Sequence, residues 1–388
     1  MMKHQLEHPY AWLNLDALDQ NIQFVNENSG TKKIRIATKS VRSVDVLKYI
    51  EKHLHNSNGF MTFTAAETVY LANEGLNHFL IGYPTMEAHT VRKLLQMQQT
   101  GLDVTFMIDH EKHLEFLQHL ASEMNCHVQV CIDINVSVDY KVLYFGSKRS
   151  PLSNKDRLLY LLAKVKKYPS IRIVGAMGYD AQIAGIGDHP SSIVKRLFIP
   201  ALKKQSEKKV SVWRKQAVHL IKQNNRELQF VNGGGSGSIQ YTAKQSEVTE
   251  VTVGSAFFAP ALFDTYHNLA LTPSVGFALR VVRQFDEETF VLQGGGYIAS
   301  GAIGADRLPQ FVEQSRFTFL PLEGAGEVQT PILDANKSLN IGDTVFLRHA
   351  KAGELCERFL TLHGVRGTDL DIYERPFSTY RGDGQCFL

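Results

Sequence analysis

The chain has 388 residues, 44% of them hydrophobic and 21% charged, which suits a globular fold with a sizeable core and excludes a disordered chain. Lys plus Arg exceed Asp plus Glu by only 42 − 39 = 3, so there is no reason to expect a nucleic-acid partner. No apolar run approaches the roughly 18 residues of a membrane span, residues 1–7 lack a signal-peptide core, and the four cysteines form no CxxC pair; a reducing, cytoplasmic location is expected.

Predicted strands and helices alternate from residue 10 onward. A strand at 11–15 precedes an amphipathic run over 17–26, with apolar residues at 18, 22 and 25. Strand 34–37 leads to a helical pattern at 44–53, strand 60–63 to one at 65–74, and strand 79–82 to one at 86–97. Strand 104–108 leads to 112–124, strand 128–134 to 155–167, and strand 171–177 to a long basic helix within 190–224. Strands at 228–231 and 251–253 follow. Roughly nine alternations over about 260 residues predict an α/β fold, a parallel sheet with helices outside. That length favours a closed (β/α)8 TIM barrel over a doubly wound sheet. Past residue 270 the rhythm changes to strand patterns at 275–284, 289–293, 317–320 and 344–348, separated by Gly, Pro and Asp turns. The expected organisation is a barrel over 1–270 and a mostly antiparallel β domain over 271–388.

The first chemical signal is Lys39, which ends the alternating stretch Lys33-Ile34-Arg35-Ile36-Ala37-Thr38-Lys39-Ser40. An amine at the C-terminal end of a barrel strand stands where such folds place their chemistry, and it can condense with a carbonyl cofactor. The second is Asn232-Gly233-Gly234-Gly235-Ser236-Gly237-Ser238, directly after a predicted strand. Backbone N–H groups in such a loop can close around a phosphate, and the last strands of a barrel are a common place for one. Gly254 and Ser255 follow at the next strand end. Neither glycine loop is a dinucleotide fingerprint. Ser238 stands where the last glycine belongs, and no helix follows Gly294-Gly295-Gly296.

Three further groups have a chemical reading and a plain one. Tyr179 and Gln182, after strand 171–177, face the barrel mouth or simply pack over it. Arg149, in Gly146-Ser147-Lys148-Arg149-Ser150-Pro151, can hydrogen-bond an ionised oxygen or be a solvated turn charge. The stretch from Arg348 to Glu357 gathers His349, Lys351, Glu354 and Cys356 within a few residues, but its spacing matches no standard metal site.

Together these stretches resemble the fold-type III pyridoxal-phosphate enzymes, and within them the branch containing D-threonine aldolase and D-serine dehydratase. The resemblance runs from Ala11-Trp12-Leu13-Asn14-Leu15-Asp16 to the segment 349–359. It implies an alanine racemase-like barrel, a C-terminal β domain completing the active site, a homodimer, and pyridoxal 5'-phosphate as cofactor. Lys39 would form the Schiff base, Gly234, Gly235, Ser236, Gly254 and Ser255 would hold the phosphate, and Arg149 would face the ring's phenolic oxygen. Tyr179 would line the ring or the substrate, a small amino acid. Family members that need a divalent metal bind it with a histidine followed two residues later by Cys or Asp. Here His349 is the one candidate metal ligand, and Lys351 stands at the second position. The expected function is a lyase for a D-amino acid, with Lys351 supplying as an ammonium the charge a metal supplies elsewhere. A racemase, with Tyr297 as second base, and a non-catalytic cofactor carrier are the alternatives.

Overall fold

The computed structural model describes residues 6–140, 144–185, 187–188, 193–224, 228–302, 304–367, 370 and 372–388. Residues 1–5, and 190–192 at the head of the basic segment, lie outside them.

The chain opens with strand β1 (Tyr10–Asn14) and helix α1 (Leu15–Asn28), capped by Asn14, whose side chain accepts from the Ala17 amide (3.1 Å). There follow β2 (Lys33–Ala37), α2 (Val44–His53), β3 (Ser57–Thr62), α3 (Ala65–Asn73), β4 (Phe79–Ile81), α4 (Ala88–Gln99), β5 (Val104–Ile108), α5 (Glu111–Glu123) and β6 (Val128–Asp133). A small hairpin of β7 (Val138–Asp139) and β8 (Tyr144–Phe145) interrupts the alternation before α6 (Lys155–Val165) and β9 (Ile171–Gly178). The short α7 (Ala181–Ala184) and the long α8 (Ile193–Asn224) lead to β10 (Phe230–Gly233), α9 (Ile239–Ala243), β11 (Glu250–Val253) and α10 (Ser255–Phe258).

Eight of these strands close a parallel barrel in the order β10-β11-β2-β3-β4-β5-β6-β9. Leu80, Met107, Cys131, Val174, Met177 and Phe230 form one cluster of inward side chains, so the lumen is packed rather than open. At the end away from the strand tips, Arg35 pairs in bidentate fashion with buried Glu250 (2.8 and 3.0 Å) and lies over the Phe230 ring (5.3 Å). Outside, the helices bury their apolar stripes; α2, for example, seats Val44, Val46, Leu47 and Ile50.

The second unit is a nine-stranded sheet. It contains β12 (Val275–Gln284), β13 (Thr289–Gln293), β14 (Gln310–Phe311), β15 (Phe317–Phe319), β16 (Gln329–Asp334), β17 (Thr344–Arg348), β18 (Thr361–Arg366) and β19 (Ile372–Ser378). Its main path runs β15-β16-β13-β12-β1-β18-β19, with β17 pairing β12 and β14. Residues 10–14, expected to open the barrel, thus belong to this sheet. β1 is antiparallel to β12 and parallel to β18, the one parallel pairing among the described residues of this sheet. An apolar strand buried on both faces reads the same in either sheet, which is why the sequence suggested one strand too many for the barrel.

Candidate active site

Lys39 lies just past β2 in a single 3-10 turn, Thr38–Ser40. The turn is pinned from both sides. Thr38 Oγ1 donates to the Met61 carbonyl at the end of β3 (3.0 Å), and Ser40 Oγ lies 3.3 Å from Ser255 Oγ. Arg42, in a left-handed conformation (φ 53°), turns its Nε back onto the Lys39 carbonyl (3.0 Å), while its Nη1 pairs with Glu357 (2.8 Å). The segment around Gly353 presses on the same turn. Gly353 has φ of 82°, and a Cβ there would collide with the Lys39 carbonyl oxygen. The β domain therefore closes on the lysine turn from the side opposite its barrel contacts.

The lysine's Nζ donates to Tyr83 Oη (2.7 Å), which stands in the loop after β4. Burial pushes the Tyr83 phenol up. The Lys39 ammonium, by charge and hydrogen bond, and then the Arg149 guanidinium outweigh that and hold it below its ordinary value. Both groups face a cavity of about 1370 Å³ at the C-terminal mouth of the barrel. The residues predicted from sequence converge here: Arg149, Tyr179, Gly234, Gly235, Ser236, Gly254, Ser255 and Lys351 all line this cavity with Lys39.

Ser236 Oγ ties the two phosphate-type loops together by accepting from the amides of Gly254 (3.3 Å) and Ala256 (2.9 Å). Behind them, fully buried Asp180 accepts from Ser238 Oγ (3.3 Å) and Thr242 Oγ1 (3.0 Å), with Arg214 at 3.4 Å. Tyr179 leans on the loop, since a Cβ at Gly235 would stand 3.2 Å from Tyr179 Cε2. Burial and then the neighbouring Asp180 push its phenol up to about 12, so Tyr179 stays protonated. These loops can hold an anion, and the amine beside them can hold a carbonyl carbon; the residues present fit pyridoxal 5'-phosphate.

Lys351 enters from the β domain, its ammonium shared between Ser300 Oγ (2.7 Å) and Glu354 (2.8 Å). His349 takes a different place. It is 3% exposed, does not line the cavity, and packs edge-on to Phe258 with centroids 6.5 Å apart. Burial, then Arg348, lowers its pKa to about 4 against the opposing pull of the Val275 backbone, so the imidazole is neutral. No cluster of three or more His, Cys, Asp or Glu among the described residues could hold a metal ion. The described residues do not assemble a metal site.

The sequence reading missed Tyr83, Asp109, Asp133 and Arg307, which also line the cavity. Asp133 ends β6; burial, then Asp109, push its carboxyl up to about 7 against the pull of Arg149. The signal for three of them was position alone, at or just after strands β4, β5 and β6.

The alanine racemase N-terminal domain family matches residues 13–261. A 3-hydroxy-D-aspartate aldolase of Paracoccus denitrificans is 22% identical over 270 residues, 69% of this chain and 64% of that protein. The match thus spans less than two thirds of that relative's length. D-threonine aldolase from Filomicrobium marinum superposes with a TM-score of 0.83 at 15% identity, covering 98% of this chain and 96% of the other. D-threo-3-hydroxyaspartate dehydratase from Delftia sp. HT23 gives 0.75 at 16%, covering 97% and 98%. At these identities the superpositions speak for the fold. The family match covers the barrel almost entirely, from within β1 to past β11, and by it the chain belongs to the alanine racemase N-terminal domain family.

Proposed function

We propose that this protein is a pyridoxal 5'-phosphate-dependent lyase for a D-amino acid bearing a β-hydroxyl, acting by aldol cleavage or by dehydration and deamination. The observation that carries the reading is the convergence of the Lys39 amine, the 234–236 loop and Arg149 on one cavity. The names of the matched relatives, aldolases and a dehydratase of D-hydroxy amino acids, supply the substrate class. Bound there, the cofactor supplies an electron sink for the bond broken at Cα.

The chain's own residues take the remaining roles. Lys39 would hold the cofactor and, once released by substrate, move a proton at Cα. Gly234, Gly235, Ser236, Gly254 and Ser255 would hold the phosphate, Arg149 would keep the phenolic oxygen ionised, and Tyr179 would line the ring. Lys351, oriented by Glu354 and Ser300, would offset negative charge on the substrate's β-oxygen. The racemase alternative is the less favoured, because the matched relatives are named as aldolases and a dehydratase; Tyr297, its candidate second base, packs edge-on to Phe277 (4.8 Å) and Phe359 (5.3 Å). We take the barrel, which lies within 1–270, as the cofactor-holding part and 271–388, together with β1, as the part that closes over substrate, in a cytoplasmic homodimer. No helix among the described residues is long and apolar enough to cross a membrane.

The test is a visible absorption spectrum with pyridoxal phosphate added to wild type and Lys39→Ala, followed by a panel of D- and L-amino acids. A cofactor band in wild type alone, perturbed by D-hydroxy amino acids, is expected. A band that no amino acid moves would favour the carrier, and no band would overturn the reading. Light scattering on the purified protein checks the dimer.

A further inference from the structure

The proposed reaction changes protonation at two substrate atoms in opposite senses. Dehydration removes a proton from Cα and adds one to the β-oxygen, which leaves as water. Aldol cleavage removes the β-hydroxyl proton and adds one to Cα. Lys39 serves Cα, so the β-oxygen needs a second proton-transfer group in contact with the first.

Tyr83 meets that need. Its hydroxyl is 2.7 Å from Lys39 Nζ, it is half-buried, and it faces the cavity rather than the protein interior. The charged groups that act on it are Lys39 after β2, Arg149 before α6 and Asp133 at the end of β6, two cations against one carboxyl. Their sum favours a phenol that gives up its proton more readily than an isolated tyrosine. We propose that Tyr83 is the catalytic acid–base for the substrate's β-oxygen, exchanging one proton with Lys39 across their hydrogen bond. The proposal rests on the lyase reading above.

The proton circuit closes. In dehydration the Cα–H bond breaks, its proton passing to the Lys39 amine and its electron pair remaining on the substrate to form the Cα–Cβ double bond. The Cβ–O bond breaks with its pair on oxygen, which takes the Tyr83 proton and departs as water. The Lys39 ammonium then reprotonates the phenolate. In aldol cleavage the Tyr83 phenolate takes the hydroxyl proton, the Cα–Cβ pair stays on Cα as the aldehyde forms, and the Lys39 ammonium protonates Cα. The two starting states differ only in which end of the 2.7 Å hydrogen bond holds the proton.

Tyr83→Phe tests this in three readouts. Ultraviolet difference titration of the cofactor-free protein should show one phenol ionising ahead of the rest, absent in Tyr83→Phe and moved up in Lys39→Met. With pyridoxal phosphate bound, turnover of the D-hydroxy amino acid wild type accepts best should fall about 10²–10⁴-fold, the range for losing a general acid–base. Exchange of the α-proton of glycine or D-alanine in D₂O, which needs Lys39 but no β-oxygen, should fall at least tenfold less than turnover does. Equal loss of exchange and turnover would mean Tyr83 merely positions Lys39, and unchanged turnover would mean it takes no part; either overturns the proposal. A wild type without a visible cofactor band fails earlier, and there the lyase reading itself falls.

Discussion

Replacing Glu250 by Gln should be among the most damaging single changes in the barrel, although the residue touches no substrate. Its carboxylate, 0% exposed, accepts from Arg35 Nε (2.8 Å) and Nη2 (3.0 Å), from Asn58 Nδ2 (2.6 Å) and from Asn232 Nδ2 (2.8 Å). The amide keeps the shape but removes the charge. It also turns an NH₂ toward two of these four donors and leaves the Arg35 guanidinium buried without a counter-ion. Breaking a buried pair by removing one partner costs about 3–5 kcal/mol, a large share of a typical stability of about 5–15 kcal/mol. One donor beyond Arg35, Asn232 or Asn58 according to which oxygen becomes nitrogen, also loses its acceptor, which places the expectation at the upper end. The damage should also reach the cofactor, because Asn232 leads into the 234–236 loop. Replacing both charges, Arg35→Met with Glu250→Leu, removes the unpaired ion and should recover more than half of the loss. Chemical denaturation of Glu250→Gln, of Arg35→Met and Glu250→Leu singly, and of the double variant, with pyridoxal phosphate affinity measured beside it, checks both claims. A loss below about 1 kcal/mol for Glu250→Gln, the figure for an exposed pair, would refute the reasoning. So would a double variant as unstable as the sum of the singles.

Other expectations concern pH and the lysine turn. Glu67, fully buried under the Tyr380 hydroxyl (2.8 Å), has its pKa raised by burial from 4.5 to about 7. A raised folded-state value means that its contribution is fully present below pH 4.5 and lost as pH rises through about 7, on the order of 3 kcal/mol in all. Melting temperatures from pH 5 to 8 should therefore fall in wild type relative to Glu67→Gln; parallel curves would contradict this. His349 runs the other way. Its value, depressed from 6.5 to about 4, gives stability that is present above pH 6.5 and lost as pH falls through 4, and His349→Gln should remove that acid sensitivity. Gly353→Ala combines a left-handed φ with a collision against the Lys39 carbonyl, so a loss of about 2–4 kcal/mol and slower cofactor incorporation are expected. Wild-type incorporation kinetics in that variant would show that the β domain does not hold the lysine.

The parts of the site legible in the sequence are those whose chemistry is carried by the backbone. Lys39 stands out because alternation stops there, and the glycine loop because its residue types suit little else. Tyr83 and Asp133 did not stand out. In Ile81-Gly82-Tyr83-Pro84 an aromatic at a strand end reads as packing, and an aspartate at the end of β6 reads as an ordinary turn residue until the fold brings Arg149 and Asp109 beside it. β16 was hidden by Pro331, which seldom lies inside a strand. β15 pairs only with residues 332–334, so on that side the missing N–H breaks no ladder bond. β19, with five exposed residues in a row, has no apolar face to announce it.

The place of β1 has a practical consequence for anyone wishing to isolate the barrel. The chain enters the second sheet at residue 10, leaves it to build all eight barrel strands, and returns to it at residue 275. In topological terms the barrel is a long insertion in the other unit. Cutting the chain at 270 would strand Tyr10–Asn14, four of whose five residues are buried, without either neighbour and with both edges open to pairing with another copy. A fragment meant to stay in solution has to begin at α1, and the complete second sheet can form only after the final strands have been synthesised.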